Sequence, residues 1–222
     1  HVYKKVGYNV QKDFTPVAWV GQFPYAMAVR PGLEVRDIAG LVALAKAQPG
    51  KLSYASWGVG SSSQIAFEMF KQAAKIDVLH VPYQGAAPAI TALASNQVDV
   101  LMVPLSVAMP QQQGGRLKLL GLASAKRLPA APDLPTLTEQ GFAVEGGTWL
   151  AVMGPAGLAP AVVEQVNRAV NAALDTAELR STLTKLGVEP LTSTPAGVQT
   201  RIDAESARWS AVIKNAGIQL DQ

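Results

Sequence analysis

An α/β fold, with a parallel sheet covered by helices, is what this sequence predicts. Short apolar runs of strand length alternate with segments whose apolar residues recur at helical spacing. The connections between them are short and marked by Gly, Pro and Ser. Apolar residues make up 49% of the 222 residues and charged residues 16%, which is ample material for a packed core.

Residues 16–20 and 25–29 read as two short strands, broken by Gly21 and Pro24. Residues 37–47 place Ile38, Leu41, Val42 and Ala45 on one helical face, and Pro49-Gly50 stops the helix. Residues 52–56 read as a strand. A second amphipathic helix, 61–74, turns Ile65, Ala66, Met69, Phe70 and Ala73 inward. A strand at 78–83, a short helix at 86–94 and buried-type strands at 98–103 and 117–123 follow. This βαβαβ order, over about residues 30–145, argues for parallel pairing.

Residues 127–147 hold Pro129, Pro132, Pro135, Gly141, Gly146 and Gly147 with little periodicity, and read as an irregular crossing between two domains. A strand resumes at 149–153. Three helices come after it. Pro160 stands at a first helical position. The helix over 176–186 ends at Gly187. Thr194-Pro195 opens the last, whose Val198, Ile202, Trp209, Val212 and Ile213 form an inward stripe. The outer pieces hold too few strands for a sheet of their own. Either they pack on the α/β unit, or part of a second domain lies outside this sequence.

Composition excludes several functions. The chain has no cysteine, so disulfides, thiolate metal sites and a cysteine nucleophile are ruled out. The net charge is +3 and the basic residues are scattered, so no nucleic-acid footprint is expected. No apolar run has the length of a membrane span, so no insertion is expected. The chain begins with His1, which is expected for a processed or partial product. His1 and His80 are the only histidines, and His80 sits inside an apolar strand, where a structural role is expected. No G-x-S-x-G, H-E-x-x-H or Walker A motif occurs. No pair of carboxylates converges as an acid and a base.

The stretch Ser56-Trp57-Gly58-Val59-Gly60-Ser61-Ser62-Ser63 lies between a strand and a helix. A helix start leaves about four N–H groups free and carries roughly half a positive charge. Two glycines allow close approach, and the serines add hydroxyls. An anion is the natural ligand, each bond to a carboxylate contributing about 1.5–3 kcal/mol. A purely local use, as a serine cap and a glycine turn, is equally open. The second stretch, Tyr83-Gln84-Gly85-Ala86, is again a strand end, a Gly turn and a helix start. Ligands of open α/β sheets sit outside the C-terminal ends of the strands, so the two would converge. Val103-Pro104-Leu105-Ser106 would add a third wall. A rival reading is a nucleotide-dependent enzyme using Gly58-x-Gly60-x-x-Ser63, with Asp77 downstream. That fingerprint lacks its third glycine, and Asp77 would start the next strand rather than end it.

Several stretches resemble one family. Asp13-Phe14-Thr15-Pro16-Val17-Ala18 is similar to the "DFTPVA" of the substrate-binding proteins of tripartite tricarboxylate transporters, the Bug family. Ala45-Lys46-Ala47-Gln48-Pro49-Gly50-Lys51-Leu52 resembles "AKAKPGKL", Gly58-x-Gly60-Ser61-Ser62 resembles "GxGSS", and His80-Val81-Pro82-Tyr83-Gln84-Gly85 resembles "HVPYKG". Ala125-Lys126-Arg127, Pro132-Asp133-Leu134-Pro135-Thr136 and Trp149 with Pro155-Ala156-Gly157 continue the match in order.

The resemblance implies a type II-like periplasmic binding protein with two lobes and a hinge, its first lobe incomplete in this chain. Residues 1–29 and 148–222 would form the partial first lobe, and 30–147 the second. It implies capture of a small carboxylate between the lobes, delivery to the permease subunits of the transporter, a periplasmic location, a monomer, no cofactor and no catalysis. The ligand set it points to is Ser56, Gly58, Gly60, Ser61, Ser62, Ser63, Tyr83, Gln84, Gly85, Ala86 and Val103. Two departures stand out. Gln64 takes the place of a frequent family histidine, and Met102-Val103-Pro104 replaces a frequent "FDN", which argues against an amine-bearing ligand. A truncated, non-binding remnant is the third expectation.

Overall fold

The computed structural model describes residues 1–3 and 5–220. It divides into two compact units, His1–Phe23 with Thr148–Gln222, and Pro24–Gly147. The chain opens with a single helical turn, α1 (Val10–Asp13), capped by the Asn9 side chain. It runs directly into β1 (Phe14–Val29), one 16-residue strand where two short ones were expected. Gly21 and Pro24 do not break it. A Cβ at Gly21 would lie 2.6 Å from the Glu189 carbonyl, so close pairing of backbones is what requires the glycine.

In the Pro24–Gly147 unit, α2 (Ile38–Ala47) is capped by Asp37, which accepts from the Gly40 N–H at 2.7 Å. It buries the four residues expected. Next come β2 (Ser53–Ser56), α3 (Ser62–Ala74), β3 (Leu79–Pro82), α4 (Ala86–Ala94), β4 (Val100–Pro104), α5 (Leu105–Gln113) and β5 (Lys118–Ala123). Ala73 of α3 faces solvent, not the core. The helix α5 was not expected, because its Pro110 and three glutamines hide any periodicity.

The sheet order is β3-β2-β4-β1-β5. β2 pairs parallel with β3 and β4. β1 pairs antiparallel with β4, Tyr25 opposite Pro104 and Val29 opposite Val100, and antiparallel with β5. The expected parallel sheet is therefore mixed. Residues 25–29, expected in the first lobe, form a central strand of this unit and are buried throughout. A fully buried strand reads the same in either direction, so the periodicity carried no polarity.

Residues 124–146 hold no helix or named strand, as expected, yet they cover the β5 edge. Leu122 N–H donates to the Pro135 carbonyl, and Leu137 N–H to the Leu122 carbonyl. Leu128, Leu137 and Val144 are buried there. Such a cover removes an open strand edge. The unit closes where it began, with the Tyr25 N–H donating to the Gly146 carbonyl at 3.1 Å.

The other unit contains β6 (Gly147–Pro155), α6 (Pro160–Leu174), α7 (Ala177–Lys185), β7 (Glu189–Pro190) and α8 (Pro195–Asn215). Its outer pieces do make a sheet, because the first part of β1 pairs with both β6 and β7. Trp19, Val198 and Ile202 are buried against Trp149, Ala151, Met153 and Leu191, with the two indoles 4.9 Å apart. The α8 stripe is buried at Val198, Ile202, Val212 and Ile213, while Trp209 stays half-buried and donates to Glu205. Asn167 of α6 donates to the carbonyls of Val17 and Ser193, tying helix to strand. Among the described residues no helix is long and apolar enough to cross a membrane.

Candidate ligand-binding site

β3, β2 and β4 are neighbours and point the same way, and each is followed closely by a helix. Strands lie about 4.8 Å apart, so the three strand ends fall within about 10 Å. The starts of α3, α4 and α5 are thereby gathered at one edge of the sheet. Each start presents unpaired N–H groups and partial positive charge. Gly85 and Pro104, the N-cap residues of α4 and α5, supply no side-chain cap. No Lys, Arg, Asp or Glu occurs in residues 56–63, 83–88 or 104–106. Helix dipoles place partial positive charge at this edge, and these segments add no formal charge to it.

The 57–60 turn has a fixed local shape. Gly58 and Gly60 hold φ of 127° and 76°, which side-chain-bearing residues avoid. Ser61 N–H donates to the Gly58 carbonyl, and Ser61 then caps α3 by accepting from the Gln64 N–H. Tyr83 N–H donates to the Ser56 carbonyl at 2.9 Å, so the second turn is anchored beside the first. Gly85 has φ of 114°. The Ser62 hydroxyl lies 2.7 Å from the Tyr25 hydroxyl, and the Tyr25 ring meets Trp57 edge-on.

The expected ligand set divides here. Gly58, Gly60, Ser61, Ser62, Tyr83, Gln84, Gly85 and Ala86 are partly or fully exposed along this edge. Ser56, Ser63 and Val103 are fully buried, so their side chains lie beneath this edge. The Ser63 hydroxyl donates to the Met102 carbonyl at 2.7 Å. The Ser56 hydroxyl donates to the Gly58 carbonyl and meets His80 Nε2. Val103 packs with Ala55, Ala89 and Leu101 in the core.

Three residues that sequence reasoning left out of the set now stand at the site or beneath it. Tyr25 comes from a strand distant in sequence, and no local signal marked it. His80 is half-buried under the 57–60 turn, and burial pushes its imidazole below the usual histidine range, with Glu68 partly opposing and Lys71 adding. Gln64 accepts from the Gly60 N–H at 2.7 Å and also contacts His80. Ser61-x-x-Gln64 is a capping-box pattern, and it could have disclosed the reach of Gln64 back to the turn. Asp77 precedes β3 and lies at the opposite end of the sheet, so it cannot serve a nucleotide bound at the glycines.

A mixed sheet whose parallel strand ends carry three helix starts is an arrangement suited to holding a small anion. The family model described as "Tripartite tricarboxylate transporter family receptor" matches residues 1–218, and the chain belongs to that family. That family is one of substrate-binding receptors, not of enzymes. Among curated relatives, a UPF0065 protein of Pseudomonas sp. (strain P51) is 31% identical over 99% of this chain and 66% of its own length. BugT of Bordetella pertussis is 28% identical over 97% of this chain and 66% of its own length. The chain thus spans about two thirds of the length of these relatives. Among solved structures, R. palustris Rpa4515 with adipate superposes with a TM-score of 0.86 at 33% identity, covering 98% of this chain and 73% of the other. MatC from Rhodopseudomonas palustris with bound malate gives 0.77 at 30%, covering 94% and 72%. The periplasmic binding protein BugD gives 0.80 at 29%, covering 100% and 75%.

Proposed function

We infer that this chain is the ligand-capturing part of a periplasmic receptor that holds a carboxylate of a small organic acid. It would deliver that acid to the permease subunits of a tripartite tricarboxylate transporter. The observation that carries the reading is the gathering of three helix starts at neighbouring parallel strand ends, with no charged side chain in the segments that form them. A carboxylate accepts from backbone N–H groups and hydroxyls there, and the helix dipoles favour its charge. Gly58, Gly60, Ser61, Ser62, Tyr83, Gln84, Gly85 and Ala86 are the residues assigned to it. Adipate and malate, bound by two structural neighbours, set the chemical range to try first.

The test is a thermal melt of the chain with adipate, malate, citrate, benzoate, glutamate and NAD. A ligand at 100 times its Kd adds about 2.7 kcal/mol of stability. A dicarboxylate that raises the midpoint, together with loss of the effect in Ser61→Ala/Ser62→Ala, supports the reading. Stabilisation by NAD alone would overturn it. Size exclusion of the same sample is expected to give a monomer.

A further inference from the structure

We propose that His80 is a positioning residue for the ligand loop, and that its neutral imidazole with the proton on Nε2 is the form that holds the 57–60 turn in its binding shape. The inference rests on the reading that this turn receives the carboxylate. The argument begins at Gly60, whose N–H donates to Gln64 Oε1 at 2.7 Å. That bond leaves the Gln64 amide nitrogen facing His80 Nδ1 at 3.2 Å. An amide NH2 only donates, so Nδ1 accepts and the ring proton sits on Nε2. Nε2 then donates to the Ser56 hydroxyl at 2.7 Å, and that hydroxyl donates to the Gly58 carbonyl at 3.0 Å. Both glycines of the turn are thus held by the two ends of one relay, the Gly58 N–H also donating back to the Ser56 hydroxyl at 3.3 Å.

A second proton on the ring breaks this order. Nδ1–H would meet the Gln64 NH2, donor against donor. Rotating the amide mends that contact but turns the NH2 toward the Gly60 N–H. One end of the relay must open in either case. The groups around the ring come from two elements. β2 contributes Tyr54, whose ring stacks at 4.8 Å. α3 contributes Glu68 and Lys71, which pair at 2.9 Å, with Glu68 also accepting from the Tyr54 hydroxyl at 2.6 Å. Glu68 is thereby occupied. Burial holds the imidazole neutral against its remaining attraction.

The experiment is 15N NMR of the whole chain, titrated from neutral pH down through and below the ordinary histidine range, with His80→Phe as the variant. Phe keeps the stack on Tyr54 and removes both hydrogen bonds. In the wild type, the ring is expected as the Nε2–H tautomer, and the Gly60 amide resonance should move with the same midpoint as the His80 ring. Gly60 amide exchange, corrected for its intrinsic pH dependence, should speed up about tenfold once the ring is protonated, as a local opening requires. In the variant, Gly60 should exchange at the fast rate at every pH while the melt stays cooperative. At neutral pH its adipate affinity should fall about tenfold. A proton found on Nδ1, or a Gly60 resonance indifferent to the His80 titration, would overturn the proposal. Both readouts hold without ligand and without the variant. Failure of adipate and malate to bind the wild type would instead count against the carboxylate reading alone.

Discussion

The buried hydroxyl of Ser63 donates to the carbonyl of Met102 at 2.7 Å and so joins the first turn of α3 to β4. The residue belongs to the site's foundation, beneath the surface a ligand would touch. Ser63→Ala leaves a buried carbonyl short of a partner and is expected to cost about 1–2 kcal/mol. For a chain of this size that lowers Tm by about 2–8 °C. Calorimetry would show it. Adipate affinity should change far less than in Ser62→Ala, and the opposite ranking would return Ser63 to the ligand's side.

Gly60→Ala tests the backbone of the turn. With φ of 76°, an alanine there is strained by about 1–3 kcal/mol. Urea unfolding is expected to register that loss, with weakened ligand binding beside it. An alanine accommodated at no cost would mean that the turn relaxes easily and is not pre-shaped.

Asp99 anchors the far end of the same sheet. It accepts from Arg30 Nε at 2.7 Å, from the Ser53 N–H at 2.8 Å and from the Ser53 hydroxyl at 3.2 Å. Removing it strands a partly buried guanidinium and a backbone N–H. Asp99→Ala should cost about 2–4 kcal/mol in denaturant unfolding, with ligand affinity per folded molecule unchanged.

Two groups contribute to the response of stability to acid. The His80 imidazole is pushed down by burial, so the unfolded chain binds the extra proton first. Its contribution is whole above about pH 6.5 and is lost as pH falls through the lowered folded value. The Glu139 carboxyl is held down by the Thr136 N–H and by Arg127. Its contribution is present above the usual glutamate range and lost as pH falls through its own lowered value. Denaturant midpoints across this range should therefore fall in two acid steps. His80→Phe should erase the upper step and Glu139→Gln the lower.

Much of this fold was legible where a signal was local. The apolar stripe of α2, the Ser61 cap of α3, the Gly85 turn and the Thr194 cap all follow from neighbouring residues. What stayed hidden was long-range. Nothing in Tyr25-Ala26-Met27-Ala28-Val29 tells which strands it separates or in which direction it runs. At the site, the sequence marked both glycine turns but could not tell the inward Ser56 and Ser63 from the outward Ser61 and Ser62. That division follows from the strand register and the helix phase. The role of Gln64 was legible in principle, as the fourth member of a capping box.

The Pro24–Gly147 unit is entered and left at one hydrogen-bonded pair, Tyr25 with Gly146. A segment whose two ends meet behaves as a cassette set into the surrounding chain. It lends itself to excision as an independent fragment, or to circular permutation by a short linker between residues 24 and 147, with new ends opened in an exposed loop. Its four parallel-running strands and the antiparallel strand among them would all travel together. Such a fragment would carry the whole candidate anion edge, so recognition could be dissected from the rest of the receptor at the level of the gene.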